Sequence, residues 1–220
     1  VHVSRAGLKK GHARAVLTNA GNANAFTGHA GEAEISIYRS AFAAALDLTE
    51  EQILIASTGV IGEPLDGQVI AGFASQINNQ KGIASWHDAA LAIHTTDTFA
   101  KGASRSLMLE GQRVTINGIA KGSGMIAPDM ATMLAYIATD ASIATACLQQ
   151  MLEKAVSASF NAITVDSDTS TSDSVYLLAT HKADHQKITD MDSKLGETFY
   201  IALKEVMTCL LYTSDAADEE

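Results

Sequence analysis

The chain has 220 residues, 47% hydrophobic and 18% charged, with only 2 prolines, a composition that buries a core and excludes a disordered or collagen-like chain. Lys and Arg number 15 against 25 Asp and Glu, and the net charge of −10 argues against nucleic acid or an anionic membrane surface as the main partner. No apolar run approaches the roughly 18 residues of a membrane span, and 2 cysteines make no disulfide framework, so a cytoplasmic, reducing setting is expected.

In chain order, Val1 is not Met and no signal-peptide core follows Arg5–Lys10, so the chain is expected to begin inside something longer. Ala15–Asn19 reads as a buried strand feeding the turn-rich string Ala20–Gly31. Glu32–Leu46 carries an apolar helical stripe, Ile35, Tyr38, Phe42, Ala45 and Leu46. Gln52–Ala56 is the next buried strand and runs into Ser57-Thr58-Gly59. Helical stretches follow at about Asp66–Ile77 and Trp86–Ile93. Ser106–Glu110 and Arg113–Asn117 alternate about Gly111-Gln112, a hairpin signal. Met133–Thr139 is a third buried strand, Ala144–Ser157 a helix, and Ile163–Val165 with Val175–Ala179 a further strand pair. Thr189–Met207 shows a helical stripe of Met191, Leu195, Phe199, Leu203 and Val206 that stops at Cys209. The pattern is that of one α/β domain.

The string Cys209–Glu219, CLLYTSDAADE, resembles the translation of a transposase-type sequencing adapter. Residues 209–220 are therefore expected to be a non-native tail, to be left out of fold reasoning. Removing the four acidic residues Asp215, Asp218, Glu219 and Glu220 brings −10 to −6 and keeps the sign.

Three loops are dense in Gly, Ser, Thr and Asn: Asn19–Gly28, Ser57–Gly62 and Lys121–Thr132. Each follows a strand, where backbone N–H groups gather to hold anions or oxyanions. Lys121-Gly122-Ser123-Gly124 fits no P-loop, and Ser123 is no nucleophile elbow because Lys121 stands where a Gly is needed. No G-x-G-x-x-G opens a helix. Asp166, Asp168, Ser170 and Ser172 imitate the start of a calcium loop, yet Thr171 replaces its Gly and Leu177 its Glu. His181 and His185 lack further zinc ligands nearby and are expected to be solvated, while Cys147 is expected to be a small buried hydrophobe. No metal is expected. Ala131-Thr132, after the break at Pro128-Asp129, allows either a plain strand threonine or a self-processing one. In the second case Thr132 Oγ attacks the Ala131 carbonyl, and the freed α-amine then serves as its general base.

The strings TNAGNANAFTG (Thr18–Gly28), ASTGVIGEPL (Ala56–Leu65), HTTDTFAK (His94–Lys101), GIAKGSGMIAPDMATMLAYIATDA (Gly118–Ala141) and FNAITVDSDTSTSDSV (Phe160–Val175) resemble the bifunctional ornithine acetyltransferase, or glutamate N-acetyltransferase, family of arginine biosynthesis. The resemblance runs from about Arg5 to Met207. It implies a layered α/β sandwich of the N-terminal-nucleophile-like type, incomplete here at both ends, with residues 1–131 belonging to an α chain and residues 132–208 to a β chain. It implies self-cleavage at Ala131-Thr132 with Thr132 as nucleophile, Thr58 and Gly59 as the oxyanion hole, and Thr95 and Lys121 as substrate-binding residues beside Thr132. It further implies ping-pong transfer of an acetyl group from N2-acetylornithine to glutamate, without a cofactor, some members also accepting acetyl-CoA. Assembly from two α and two β chains in the cytoplasm is implied as well.

Phe26, Asp129, Ser167 and Ser172 depart from the family's commoner Cys, Asn, Gly and Asn, all beside the matched positions. The family continues past Met207, where an acidic substrate-binding residue is expected, so these 220 residues are expected to transfer little acetyl by themselves. Two other readings stay open. One is a self-processing aminopeptidase or amidohydrolase of related architecture; the other is an inert α/β domain in which Thr132 is only a strand residue.

Overall fold

The computed structural model describes residues 1–80, 82–95, 97–122, 133–160 and 172–215. It is a mixed α/β structure in two compact units, one of Val1–Thr95 with Met133 and residues 172–174, the other of residues 97–122, 134–160 and 175–215.

The first unit opens with the helix α1 (His2–Gly7) and the strand β1 (Ala15–Asn22), followed by α2 (Gly28–Leu46) and β2 (Ile53–Val60). The two strands pair in parallel, Ala15 with Ile53 through Asn22 with Val60, which demands a crossover; α2 supplies it. Of the stripe expected on this helix, Tyr38 and Phe42 are buried, joined by Ala43, against Ile53, Ile55 and Leu65, while Ile35, Ala45 and Leu46 are half-buried. The helix begins earlier than Glu32 because Thr27 turns the chain directly into it, and it ends on Asp47 in the left-handed region. On the side of β2 away from β1, the Ser4 hydroxyl donates to Ile55 O at 2.8 Å and accepts from Ile55 N–H at 2.7 Å. One hydroxyl thus satisfies both backbone groups of a buried strand residue.

The helix expected over Asp66–Ile77 is broken into α3 (Gly67–Gly72), a 3-10 turn Ala74–Gln76 and α4 (Ile77–Gln80). Asp66 starts it by accepting from Gln68 and Val69 N–H, and Gly72, with its weak helical preference, is where α3 stops. α5 (Trp86–Ala92) begins in a reciprocal capping box between Ser85 and Asp88.

In the second unit, β3 (Lys101–Leu109) and β4 (Gln112–Lys121) form an antiparallel hairpin, and β4 pairs antiparallel with β5 (Leu134–Thr139). The hairpin turns at Glu110-Gly111, one residue before the expected Gly111-Gln112. Both turn residues have positive φ, 50° and 81°, as a two-residue turn matched to strand twist requires. A glutamate is an unusual choice there; its carboxylate also accepts from Gln186 N–H at 2.8 Å. After α6 (Thr145–Ser157), β6 (Ser174–Ala179) completes the order β3-β4-β5-β6. Ser174 N–H donates to Met133 O and Thr180 N–H to Thr139 O, so β6 runs parallel to β5. The partner strand expected at 163–165 lies outside the described residues.

α7 (Lys194–Asp215) packs with α6 over one face of this sheet. Phe199, Leu203, Val206, Met207 and Leu210 meet Val114, Ile116, Ala120, Ala135 and Ile137 in the core, with Cys147 and Met151 from α6. Two expectations are corrected here. The helix starts at Lys194, with Met191 buried from the turn before it. Nor does the stripe stop at Cys209: Leu210 is fully buried, because one more step of the helical repeat returns it to the sheet. No helix among the described residues is long and apolar enough to cross a membrane.

Candidate active site

The carboxyl ends of β1 and β2 gather the polar strings of the first unit. Asn19 Nδ2–H donates to Asn22 O at 2.7 Å, and Asn22 Nδ2–H to Pro64 O at 3.0 Å. The loop after β1 is fastened to the end of β2 by Asn24 N–H to Ser57 Oγ, 3.0 Å, Ala23 N–H to Val60 O, 2.9 Å, and Gly62 N–H to Ala25 O, 3.0 Å. Asn24 also receives the Thr27 hydroxyl and donates to Gly31 O. Gly31 is confined by this network, since a Cβ there would come within 1.9 Å of Thr27 Oγ1. Phe26, at φ 58° and 82% exposed, turns the loop outward.

Thr58 and Gly59 lie side by side at this strand end. Thr58 is fully buried, and its Oγ1 has no hydrogen-bond partner among the described residues. A buried hydroxyl left so costs about 1–3 kcal/mol, so its place invites a ligand atom. Asn22 Oδ1, an acceptor, is buried in the same condition. Gly59 has φ 126°, and a Cβ would fall 2.2 Å from the Gly21 carbonyl carbon, so only glycine lets the two backbones approach here. A fixed donor near a parallel strand end is the kind of group that stabilises a developing oxyanion.

Thr95 is an exposed residue of the same unit, in a bend after α5. Lys121 belongs to the second unit as the last residue of β4, paired with Leu134, and is buried. Its neighbour Gly122 is bracketed by an ion pair whose two residues carry no role on sequence grounds. Lys101 Nζ lies 3.0 Å from Asp97 Oδ1, both side chains being buried, and also donates to Gly122 O. Gly122 N–H donates to the same Asp97 oxygen at 2.9 Å. The one signal for the pair in the sequence is opposite charges four apart inside an otherwise neutral, threonine-rich string. Ala131, Thr132, Asp129 and Ser167 lie outside the described residues, whereas Ser172 is described and its carbonyl accepts from the Ser174 hydroxyl.

His185 is not merely solvated, as expected. Its Nε2 accepts from Ser142 N–H at 3.0 Å and its Nδ1–H donates to Gln186 O at 2.8 Å, an arrangement that needs the neutral ring with the proton on Nδ1. Cys147 is a buried hydrophobe, as expected, and burial with the nearby Asp190 charge pushes its thiol upward.

The structure is thus that of a layered α/β protein with a polar, glycine-dependent strand end. The ArgJ family model matches residues 1–216. The arginine biosynthesis bifunctional protein ArgJ of Agrobacterium fabrum is 49% identical over 210 residues, covering 94% of this chain and 51% of that protein. Its counterpart in Bartonella quintana is 53% identical over 178 residues, 81% of this chain and 43% of that protein. Among solved structures, the arginine biosynthesis bifunctional protein ArgJ of Bacillus halodurans matches with a TM-score of 0.50 and 34% identity, over 59% of this chain and 68% of that one. The chain belongs to the ArgJ family. It spans about half the length of the curated relatives it matches.

Proposed function

We propose that this chain carries the nucleophile and oxyanion hole of an acetyltransferase of arginine biosynthesis, one that moves an acetyl group from N2-acetylornithine to glutamate. The observation that carries the reading is the buried Thr58 hydroxyl, without a partner among the described residues, beside Gly59 at a strand end of an ArgJ-family chain.

In this reading the chain cleaves itself between Ala131 and Thr132, and Thr132 becomes a new N-terminus. Its α-amine takes the hydroxyl proton as Oγ attacks the acetyl carbonyl of acetylornithine. The tetrahedral oxyanion is held by Thr58 and Gly59, and Lys121 and Thr95 bind the substrate, Lys121 through the carboxylate. The C–N bond then breaks, the proton passes to the departing ornithine amine, and the acetyl group remains as an ester on Thr132. The glutamate amine attacks that ester and regenerates the threonine. Acetyl-CoA is an alternative donor, no cofactor is needed, and the working assembly is two α and two β chains in the cytoplasm.

The test is the intact mass of the chain beside a Thr132→Ala control, before and after N-acetylornithine is added. Two pieces meeting at Ala131–Thr132, with one acetyl group added to the piece headed by Thr132, are expected; the control should show neither. A folded, uncleaved chain that takes up no acetyl group would overturn the reading. Multiple turnover is expected to be slight, because the chain spans about half of its relatives.

A further inference from the structure

Buried ion pairs are poor devices for stability, since a well-packed apolar pair in the same space does as well or better. Lys101 and Asp97 nevertheless form one, and both of their charged ends reach a single residue. The Asp97 carboxylate accepts the N–H of Gly122 and the Lys101 ammonium donates to its C=O, so both backbone groups of Gly122 are held. Gly122 needs holding. It sits at φ 133°, which side chains other than hydrogen rarely adopt, and it comes directly after Lys121, the last paired residue of β4. The last rung of a strand pair frays more readily than the rungs inside it.

Lys101 cannot act on Lys121 by direct contact along one face. Lys101 pairs with Ala120 and shares its side of the sheet, toward α7; Lys121, one residue on, points to the other side. The geometry points to a backbone clamp: Asp97 and Lys101 are positioning residues that, through Gly122, keep Lys121 at its buried place as the anion-binding cation of the site. The substrate role of Lys121 rests on the reading above; the clamp itself does not.

The experiment uses the double variant Asp97→Leu/Lys101→Met, because either single change strands a buried charge and endangers folding. The amine of Lys121 is followed by mass spectrometry during brief treatment with a small acylating ester. Thermal melting and the binding of N-acetylornithine are measured alongside. The clamp predicts a melt close to that of the wild type, labelling of Lys121 about ten-fold faster, and binding of N-acetylornithine weakened about ten-fold. Unchanged labelling in a folded double variant overturns it and leaves an ordinary structural pair. If the double variant does not fold, the Gly122 amide of the wild type decides by hydrogen exchange: protection at the level of the β4 core supports the clamp, and loop-like exchange overturns it. If labelling behaves as predicted but the wild type binds no N-acetylornithine, the clamp stands and the substrate reading falls.

Discussion

Thr58 separates the needs of a fold from those of a reaction. Its hydroxyl is buried with no partner among the described residues, so replacing it with the near-isosteric valine removes an unsatisfied group. Thr58→Val is expected to melt at or above the wild-type temperature while forming acetyl-enzyme about 10²–10³ times more slowly, the loss typical of one oxyanion donor. Slow acetylation together with a lowered melt would instead mark Thr58 as structural. Tyr38 tests burial in the same unit. Desolvation, opposed in some measure by Arg39, pushes its phenol from 10.0 up to about 12, and the hydroxyl has no partner among the described residues. The folded state therefore holds this proton more tightly than the unfolded chain. The contribution is whole below pH 10 and is lost as pH rises toward about 12. Denaturant unfolding across that window should show the alkaline loss in the wild type and a smaller one in Tyr38→Phe.

Among the elements, α7 answers most sharply to its packing. A Cβ on Gly118 would stand 2.9 Å from Leu210 Cδ1 and 3.2 Å from Val206 Cγ1, so β4 admits the helix closely at this point. Gly118→Ala is expected to cost about 1–3 kcal/mol by overpacking, and Leu210→Ala about 2–5 kcal/mol by leaving a cavity. The pair combined should cost less than the two separately, since the added methyl occupies some of the space vacated. Urea unfolding of the four proteins in the cycle measures this, and strict additivity would count against the contact. The same helix shows how far periodicity carries a reading. The interior stripe was legible because 3.6-residue spacing is written in the sequence. The helix ends were not, for Cys209 marks no boundary once Leu210 has a sheet to cover. Likewise the hairpin was legible but its turn slipped by one residue, because positive φ at Glu110 depends on the strands it joins.

At the scale of the molecule, each unit carries apolar clusters of its own, Phe42, Ile53 and Tyr38 with Ile55 in the first, the α6–α7 layer over the sheet in the second. The single tryptophan, Trp86, reports on the first unit. The stacked pair Tyr136 and Tyr176, with ring centres 5.6 Å apart, reports on the second. In Leu210→Ala the near-ultraviolet dichroism of the tyrosines is expected to be lost at lower denaturant than in the wild type, while Trp86 fluorescence shifts less. Equal shifts would show the two units unfolding as one.

By itself the sequence determined the family, through five long strings in order, and the kind of each main element, because hydrophobic spacing and turn residues are local properties of the chain. It also singled out Thr58, Gly59, Thr95 and Lys121. Only the tertiary structure decided that the Thr58 hydroxyl is buried, that Gly59 must be glycine, that His185 answers Ser142, and that Lys101 and Asp97 close on Gly122. Each of these depends on which backbone another segment brings near. Linear spacing holds no record of that.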